Sequence, residues 1–204
     1  MPTATFDHLP EEKRRRILDA AVKEFGARGL SSANLSNIVK EAQISRGSIY
    51  QYFPSKEDLY VYVFDTLRAK RAEYVQPSFE LYKTAPFLTF FGEFYLRDSG
   101  FLLMNPSHIE LGKHLYSSGD PTSLGLIHRL QTRYHDLFIV AIELDKERGV
   151  ISGAIDSAVL ADLFVHFVTD IFIFQSTRNQ LSLYNLREHW EYTRYIIQYG
   201  IEVR

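Results

Sequence analysis

Between Leu35 and Lys56 the chain reads LSNIVKEAQISRGSIYQYFPSK, and this stretch restricts the fold more than any other. Leu35, Ile38, Val39 and Ala42 recur at i, i+3, i+4 and i+7, the single apolar stripe of a short amphipathic helix. Asn34 stands where an N-cap is wanted. The stripe lapses over Gln43-Ile44-Ser45, with Ile44 a candidate buried pin and Ser45 a second N-cap, so a tight turn should pass straight into another helix. In that helix Ile49 and Phe53, four apart, anchor one face. Ser45, Arg46, Gly47, Ser48, Tyr50, Gln51 and Tyr52 are left partly or wholly free. A helix so short normally hides more of itself. Its polar groups can donate to phosphate or base edges, and Gly47 lets a backbone come close. Pro54 disfavours helical geometry at Phe53 and ends the segment. Ser55-x-x-Asp58 then has the pattern of a capping box for a third helix.

Lys56 falls in the first turn of that third helix, where a cation opposes the macrodipole by roughly a few tenths of a kcal/mol. A phosphate held jointly by Lys56 and the helix N–H groups would remove the conflict; a solvated lysine is the plain alternative. The charge of the chain divides unevenly about this point. Through residue 56 there are nine Lys or Arg against six Asp or Glu, and afterwards fourteen against nineteen. The front of the chain is therefore the part that could approach a polyanion. Some of its charge is the run Lys13-Arg14-Arg15-Arg16, readable as a solvated helix face or as phosphate contacts, which position a protein without specifying sequence.

Ile17-Leu18-Asp19-Ala20-Ala21, Phe25, Gly29, Ile38 and Ala42, followed by Ser45-Arg46-Gly47-Ser48-Ile49-Tyr50, Tyr52-Phe53-Pro54-Ser55-Lys56 and Glu57-Asp58-Leu59, form one ordered pattern from about Arg16 to Tyr60. It resembles the tetracycline-repressor (TetR) family of bacterial transcription regulators. The resemblance implies that the helix over Arg46–Phe53 enters the major groove of DNA, with Tyr50, Tyr52 and Lys56 contacting the DNA backbone or bases. Arg46 is the residue suited to base readout, bidentate to guanine. One position departs from the pattern. Gln43 stands where glycine is common, and if the turn needs a positive φ a glutamine there costs about 1–2 kcal/mol.

An apolar content of 46% with 24% charged residues is ordinary for a globular chain. The lack of cysteine excludes disulfides and thiolate metal sites. The N-terminal residues contain no apolar run of the secretory kind. The most apolar stretch, Leu163 to Phe174, contains His166 and Asp170 and is too short to cross a bilayer. A cytoplasmic protein is expected. His108, Glu110 and His114 are spaced i, i+2, i+6, which does not put three ligands on one helix face, and His128 and His135 lie two turns apart. No glycine-rich phosphate loop and no Gly-x-Ser-x-Gly occurs. No metal, cofactor or catalytic residue is expected, and the chain does not read as an enzyme.

After Lys56 the pattern is helices punctuated by prolines and caps: a helix to about Gln76 stopped by Pro77, an aromatic-rich one opened by Pro86, and two more begun at Asn105-Pro106 and Asp120-Pro121. The last of these runs to Arg148, with Gly149 as its stop. Two further helices follow, at about Asp156–Arg178 and Asn185–Val203. The fold class is all-α: a three-helix helix-turn-helix head over residues 1–56 and a larger helical ligand-binding and dimerisation domain over residues 57–204.

Leu160, Phe164, Phe167, Val168, Ile171 and Phe172, with Trp190, Tyr195, Ile197 and Ile201, give the last two helices more large apolar surface than a peripheral helix needs. Either they complete the monomer core or a second copy covers them. The resemblance implies a homodimer joined by a four-helix bundle of these helices, its two reading helices about 34–36 Å apart, one turn of DNA. It also implies a small-molecule effector bound among the central helices. The aromatic side chains suggest a cavity lined by Phe64, Leu67, Phe90, Phe94, Met104, His108, Tyr134, Phe138, Phe164 and Phe167. With few charges nearby, an apolar or aromatic ligand fits, oriented by His108 and Tyr134. The expectation is a repressor released from a palindromic operator by that ligand. One alternative keeps the DNA binding but makes the larger domain a dock for another protein. Another, an enzyme with a vestigial head, lacks any acid-base pair to support it.

Overall fold

The computed structural model describes residues 1–177 and 182–200, of residues 170–177 the backbone alone. Helices joined by turns make up the described chain: α1 (Ala4–Asp7), α2 (Glu11–Ser32), α3 (Leu35–Glu41), α4 (Arg46–Tyr52), α5 (Lys56–Phe79), α6 (Phe87–Met104), α7 (Pro106–Ser118), α8 (Pro121–Glu147), α9 (Ser157–Thr177) and α10 (Leu183–Tyr199). The all-α class is as expected from the sequence.

Most boundaries have local causes. Asn34 Oδ1 accepts from the Ser36 amide at 2.8 Å, capping α3. Asp120 Oδ1 accepts from the Ser123 amide at 2.9 Å and caps α8. At the other end of α8 the Val150 amide bonds the Asp145 carbonyl and the Gly149 amide the Lys146 carbonyl, with Gly149 at φ 72°, a left-handed C-terminal stop of the Schellman kind. Asp156 caps α9 through the Ala158 and Val159 amides. Two expectations need correction. Pro77 lies inside α5 instead of ending it. Ser45 precedes α4 but makes no side-chain cap; its hydroxyl pairs with that of Ser48 at 2.6 Å.

The chain forms two compact units. The first comprises Met1–Lys70 with Asn105–Arg129, a wider body than the 1–56 head read from the sequence. Its core contains Phe6, Ile17, Ala21, Phe25, Ile38, Ala42, Ile49, Phe53, Leu59, Tyr60, Val63, Leu111 and Leu115. Here α7 lies along α2, against which a Cβ added at Gly26 would meet the Ser107 carbonyl at 3.6 Å. α2 is broken at Gly29, at φ 69°, where an added Cβ would come within 3.2 Å of the His114 ring. Left-handed backbone and close approach together require glycine at that position.

The second unit comprises Arg71–Met104 and the chain from Leu130 onward. It is built on rings from α6, with Phe87, Phe91 and Phe94 packed around Phe138 of α8 and Phe164 of α9. Gly92 lets α10 in: an added Cβ would lie 2.5 Å from Trp190 Nε1. The buried Asp145 accepts from the Phe87 amide at 2.6 Å, placing a carboxylate at the N-terminus of α6. Arg71 and the buried Asp98 join α5 to α6 through a bidentate pair.

Candidate nucleic-acid interface

The helix-turn-helix forms as its spacing requires. Ile38 and Ala42 are fully buried, Val39 and Ile49 nearly so, and Ile44 packs partly buried against the same core. The four-residue turn between α3 and α4, residues 42–45, includes Gln43 at φ 55°, the left-handed geometry in which a non-glycine residue is strained by about 1–2 kcal/mol. The condition raised from the sequence, a turn that needs positive φ at Gln43, is met.

α4 is only seven residues long, and Ile49 and Tyr52 hold it to the core while most of the remainder faces solvent. Ser45, Arg46, Gly47 and Gln51 are exposed, Ser48 is half-buried, and Tyr50 is 57% exposed. Arg46 has no carboxylate partner among the described residues. A cation, a phenol and two amide or hydroxyl groups are therefore presented together on a helix narrow enough to enter a groove about 12 Å wide. Arg46, Tyr50 and Lys56 also line a groove of about 460 Å³ together with Ser32, Asn34 and Ser36. Sequence reasoning gave Asn34 only a capping role and did not single out Ser32 or Ser36, which sit at the end of α2 and the start of α3 and fall outside the apolar stripes.

One residue expected to be free is buried, and another has bonds within the protein. Tyr52 is 4% exposed and not free. Its ring meets Phe6 edge-on at 6.0 Å, and the Lys13 ammonium stands 5.5 Å from its centre. The cause is a segment to which the sequence reading assigned no role. Thr3 donates its amide to the Tyr52 carbonyl at 2.9 Å and its hydroxyl to the Gln51 carbonyl at 2.6 Å, while Phe6 is fully buried beside Phe53 and Tyr62. Residues 3–6 thus occupy carbonyls that the end of α4 would otherwise leave open. A lone Phe ahead of the first charged helix was the available signal. Lys56 likewise is not a solvated cation: its Nζ donates to the Ser31 carbonyl at 3.0 Å and the Ala33 carbonyl at 3.2 Å.

Around this surface Lys23 pairs with Glu41 at 2.7 Å, and that hydrogen bond holds the Glu41 carboxyl below its usual range. Glu24 accepts from the Asn34 amide and from the Asn37 side chain, tying α2 to α3.

The residues expected to line a ligand cavity are dispersed. Phe64, Leu67 and His108 belong to the first unit; Phe90, Phe94, Met104, Tyr134, Phe138, Phe164 and Phe167 belong to the second. In the second unit the rings fill space against one another. Phe94 meets Tyr134 at 5.3 Å, Tyr134 stacks on Phe138 at 6.0 Å, and Phe167 meets Tyr95 at 4.9 Å. Met104 is 61% exposed and lines no interior.

The expected dimer residues also divide. Phe164, Val168 and Trp190 are buried within the unit, with Trp190 packed on Phe91 and Phe167, so these finish the monomer core. Leu160 is half-buried, and Tyr195 and Ile197 are exposed. Ile201 and the side chains of Ile171 and Phe172 lie outside the described residues. Sequence reasoning missed Tyr184, Tyr192, Ile196 and Tyr199, which stand exposed on α10, and Val159 and Leu163, exposed on α9.

Residues 17–63 match the model of the bacterial regulatory proteins of the tetR family. Over 55 residues the chain is 40% identical to the HTH-type transcriptional regulator AcrR of Shigella flexneri, covering 27% of this chain and 26% of that protein. Over 49 residues it is 45% identical to the uncharacterized HTH-type transcriptional regulator YuxN of Bacillus subtilis, covering 24% of this chain and 17% of that protein. These matches span a quarter or less of each protein, apart from slightly more for AcrR. The fold extends further. FadR of Bacillus subtilis, solved in complex with stearoyl-CoA, superposes with a TM-score of 0.76 at 18% identity, over 92% of this chain and 99% of its own. A TetR-like transcriptional regulator from Rhodococcus sp. RHA1 does so with a TM-score of 0.75 at 16% identity, over 95% of this chain and all of its own. The buried stripe of α3, the turn at Gln43 and the outward face of α4 all fall within residues 17–63, so it is the head of the chain that is similar to the bacterial regulatory proteins of the tetR family.

Proposed function

We propose that this chain is a homodimeric, ligand-responsive transcriptional repressor that grips a palindromic DNA site through α4. The carrying observation is the side of α4 turned to solvent, where Arg46, Gly47, Tyr50 and Gln51 stand together on a helix anchored from behind by Ile49 and Tyr52. Arg46 would read a base edge, and Tyr50, Gln51, Ser45 and Ser48 would hold the backbone. A second copy suits the exposed face of α10, where Tyr192, Tyr195, Ile196 and Tyr199 present aromatic and aliphatic surface. Two-fold symmetry would set the two copies of α4 about 34–36 Å apart.

The likeness in fold to FadR, solved with stearoyl-CoA, supports an effector with a long apolar chain. Ligand would favour a head spacing that fits the operator poorly. A coupling of about 1–3 kcal/mol, or 5–150-fold in affinity, suffices. Selection from a randomised duplex library by the purified chain at low salt tests the DNA assignment. Recovery of an inverted repeat is expected, with Arg46→Ala losing roughly 1–3 kcal/mol of discrimination at one position of each half-site. If no sequence is enriched, the regulator assignment is lost.

A further inference from the structure

α10 is held to the second unit by little of its own length. Leu186 and Trp190, about one turn apart, are its buried residues. The depth and rotation of the helix therefore depend on where those two side chains sit. The Trp190 ring lies 5.1 Å from that of Phe91 and 6.5 Å from that of Tyr95, both on α6, and 5.8 Å from that of Phe167 on α9. With 3% of its surface exposed, the indole cannot swing aside without opening a void. It moves only with its helix.

The place it fills exists because residue 92 is glycine. A Cβ there would stand 2.5 Å from Nε1 and 3.0 Å from Cε2 of the indole, and reaching ordinary contact would take a retreat of about 1 Å. Glycine is a poor helix former, and Gly92 is not among the glycines with positive φ. Close approach is thus what the position requires. On the far side of α10, Tyr192, Tyr195, Ile196 and Tyr199 are between 49% and 66% exposed. At about 100° per residue they share an arc of about 100° turned away from Leu186 and Trp190. A helix buried along one stripe and apolar along the opposite one suits a place between two surfaces. One surface is the ring interior of its own unit.

We propose that Gly92 and Trp190 are a positioning pair: bare backbone at residue 92 admits the indole, and the seated indole fixes the depth and rotation at which α10 offers Tyr192, Tyr195, Ile196 and Tyr199 to a second copy of the chain. The second copy rests on the homodimer proposed above; the seat itself does not. Because the helix is rigid across its own width, a retreat of about 1 Å at the seat reappears on the opposite side, where close packing would register it.

Trp190 is the one tryptophan of the chain, so its fluorescence emission reads the seat while sedimentation across a dilution series reads the dimer. In the full chain carrying Gly92→Ala, emission is expected to move to longer wavelength. The dimer dissociation constant is expected to rise by about fivefold or more, the lower end of what overpacking costs. Adding Trp190→Phe shortens the crowded ring, and the constant is then expected within about threefold of that for Trp190→Phe alone, since the effects of residues in contact do not add. Losses that simply add would make the two positions independent and overturn the pair. A wild-type dimer whose constant Gly92→Ala leaves unmoved sinks the proposal and spares the homodimer. A wild-type chain that stays monomeric ends both. Should Gly92→Ala fail to fold, Trp190→Phe by itself decides: the shorter ring lets α10 settle at another depth, so the constant is expected to rise, and an unmoved one overturns the pair.

Discussion

Gly47 is exposed on α4, and a Cβ added there would meet nothing within 4 Å. The fold makes no demand for glycine at this position, whereas glycine inside a helix is less favourable than alanine by about 0.8–1 kcal/mol. Gly47→Ala should therefore raise the denaturation midpoint, yet weaken DNA binding if backbone approaches there. Calorimetry and duplex titration on one preparation would show the opposed effects. At Gln43 the balance is different. Glycine would relieve about 1–2 kcal/mol of left-handed strain and lose about 0.4–1 kcal/mol through the greater freedom of the unfolded chain. Gln43→Gly should stabilise the head slightly, by roughly 0.5–1 kcal/mol, read as a shift in urea midpoint with the m-value unchanged. Tyr50 and Tyr52 show the limit of reading residues singly. Both looked free in sequence, but Phe6 covers one and leaves the other 57% exposed.

Among the elements, the short segment ahead of α2 has consequences out of proportion to its length. Phe6 is fully buried among Tyr52, Phe53 and Tyr62, so Phe6→Ala should cost about 3–5 kcal/mol. The same change should expose Tyr52 and weaken DNA binding although it touches no residue on the outward face of α4; fluorescence-monitored unfolding and duplex titration would check both effects. α8 depends on its cap at Asp120. Burial alone would raise this carboxyl, but hydrogen bonding, with the Ser123 amide donating to Oδ1 at 2.9 Å, outweighs it and holds the group below its ordinary value of 3.8. A pKa depressed by folding contributes stability that is fully present above the unfolded value and is lost as pH falls through the folded one. Asp120→Ala should thus cost about 0.5–2 kcal/mol near neutrality and progressively less below pH 4, so that the two unfolding curves converge in acid.

For the whole molecule, the exposed face of α10 bears on assembly. Ile196→Glu combined with Tyr199→Glu places charges on that apolar surface, and sedimentation should move from dimer to monomer with the unfolding temperature no longer rising with protein concentration. Retention of the dimer would exclude this face. The all-α class and the helix-turn-helix were legible in the chain because both are local. An apolar stripe every three or four residues, Asn34 before α3, Pro106 and Pro121 at helix starts and Gly149 at a helix end act within a turn or two of themselves. Burial of Tyr52, the commitment of Lys56 to carbonyls more than twenty residues away and the packing of Trp190 against Gly92 depended on which distant segments meet. An amphipathic pattern states that a face is covered and does not say by what. For that reason the helix-turn-helix was determined by the sequence alone, while the residues that hold α4 in place, and those left exposed on α10, were decided only by tertiary packing.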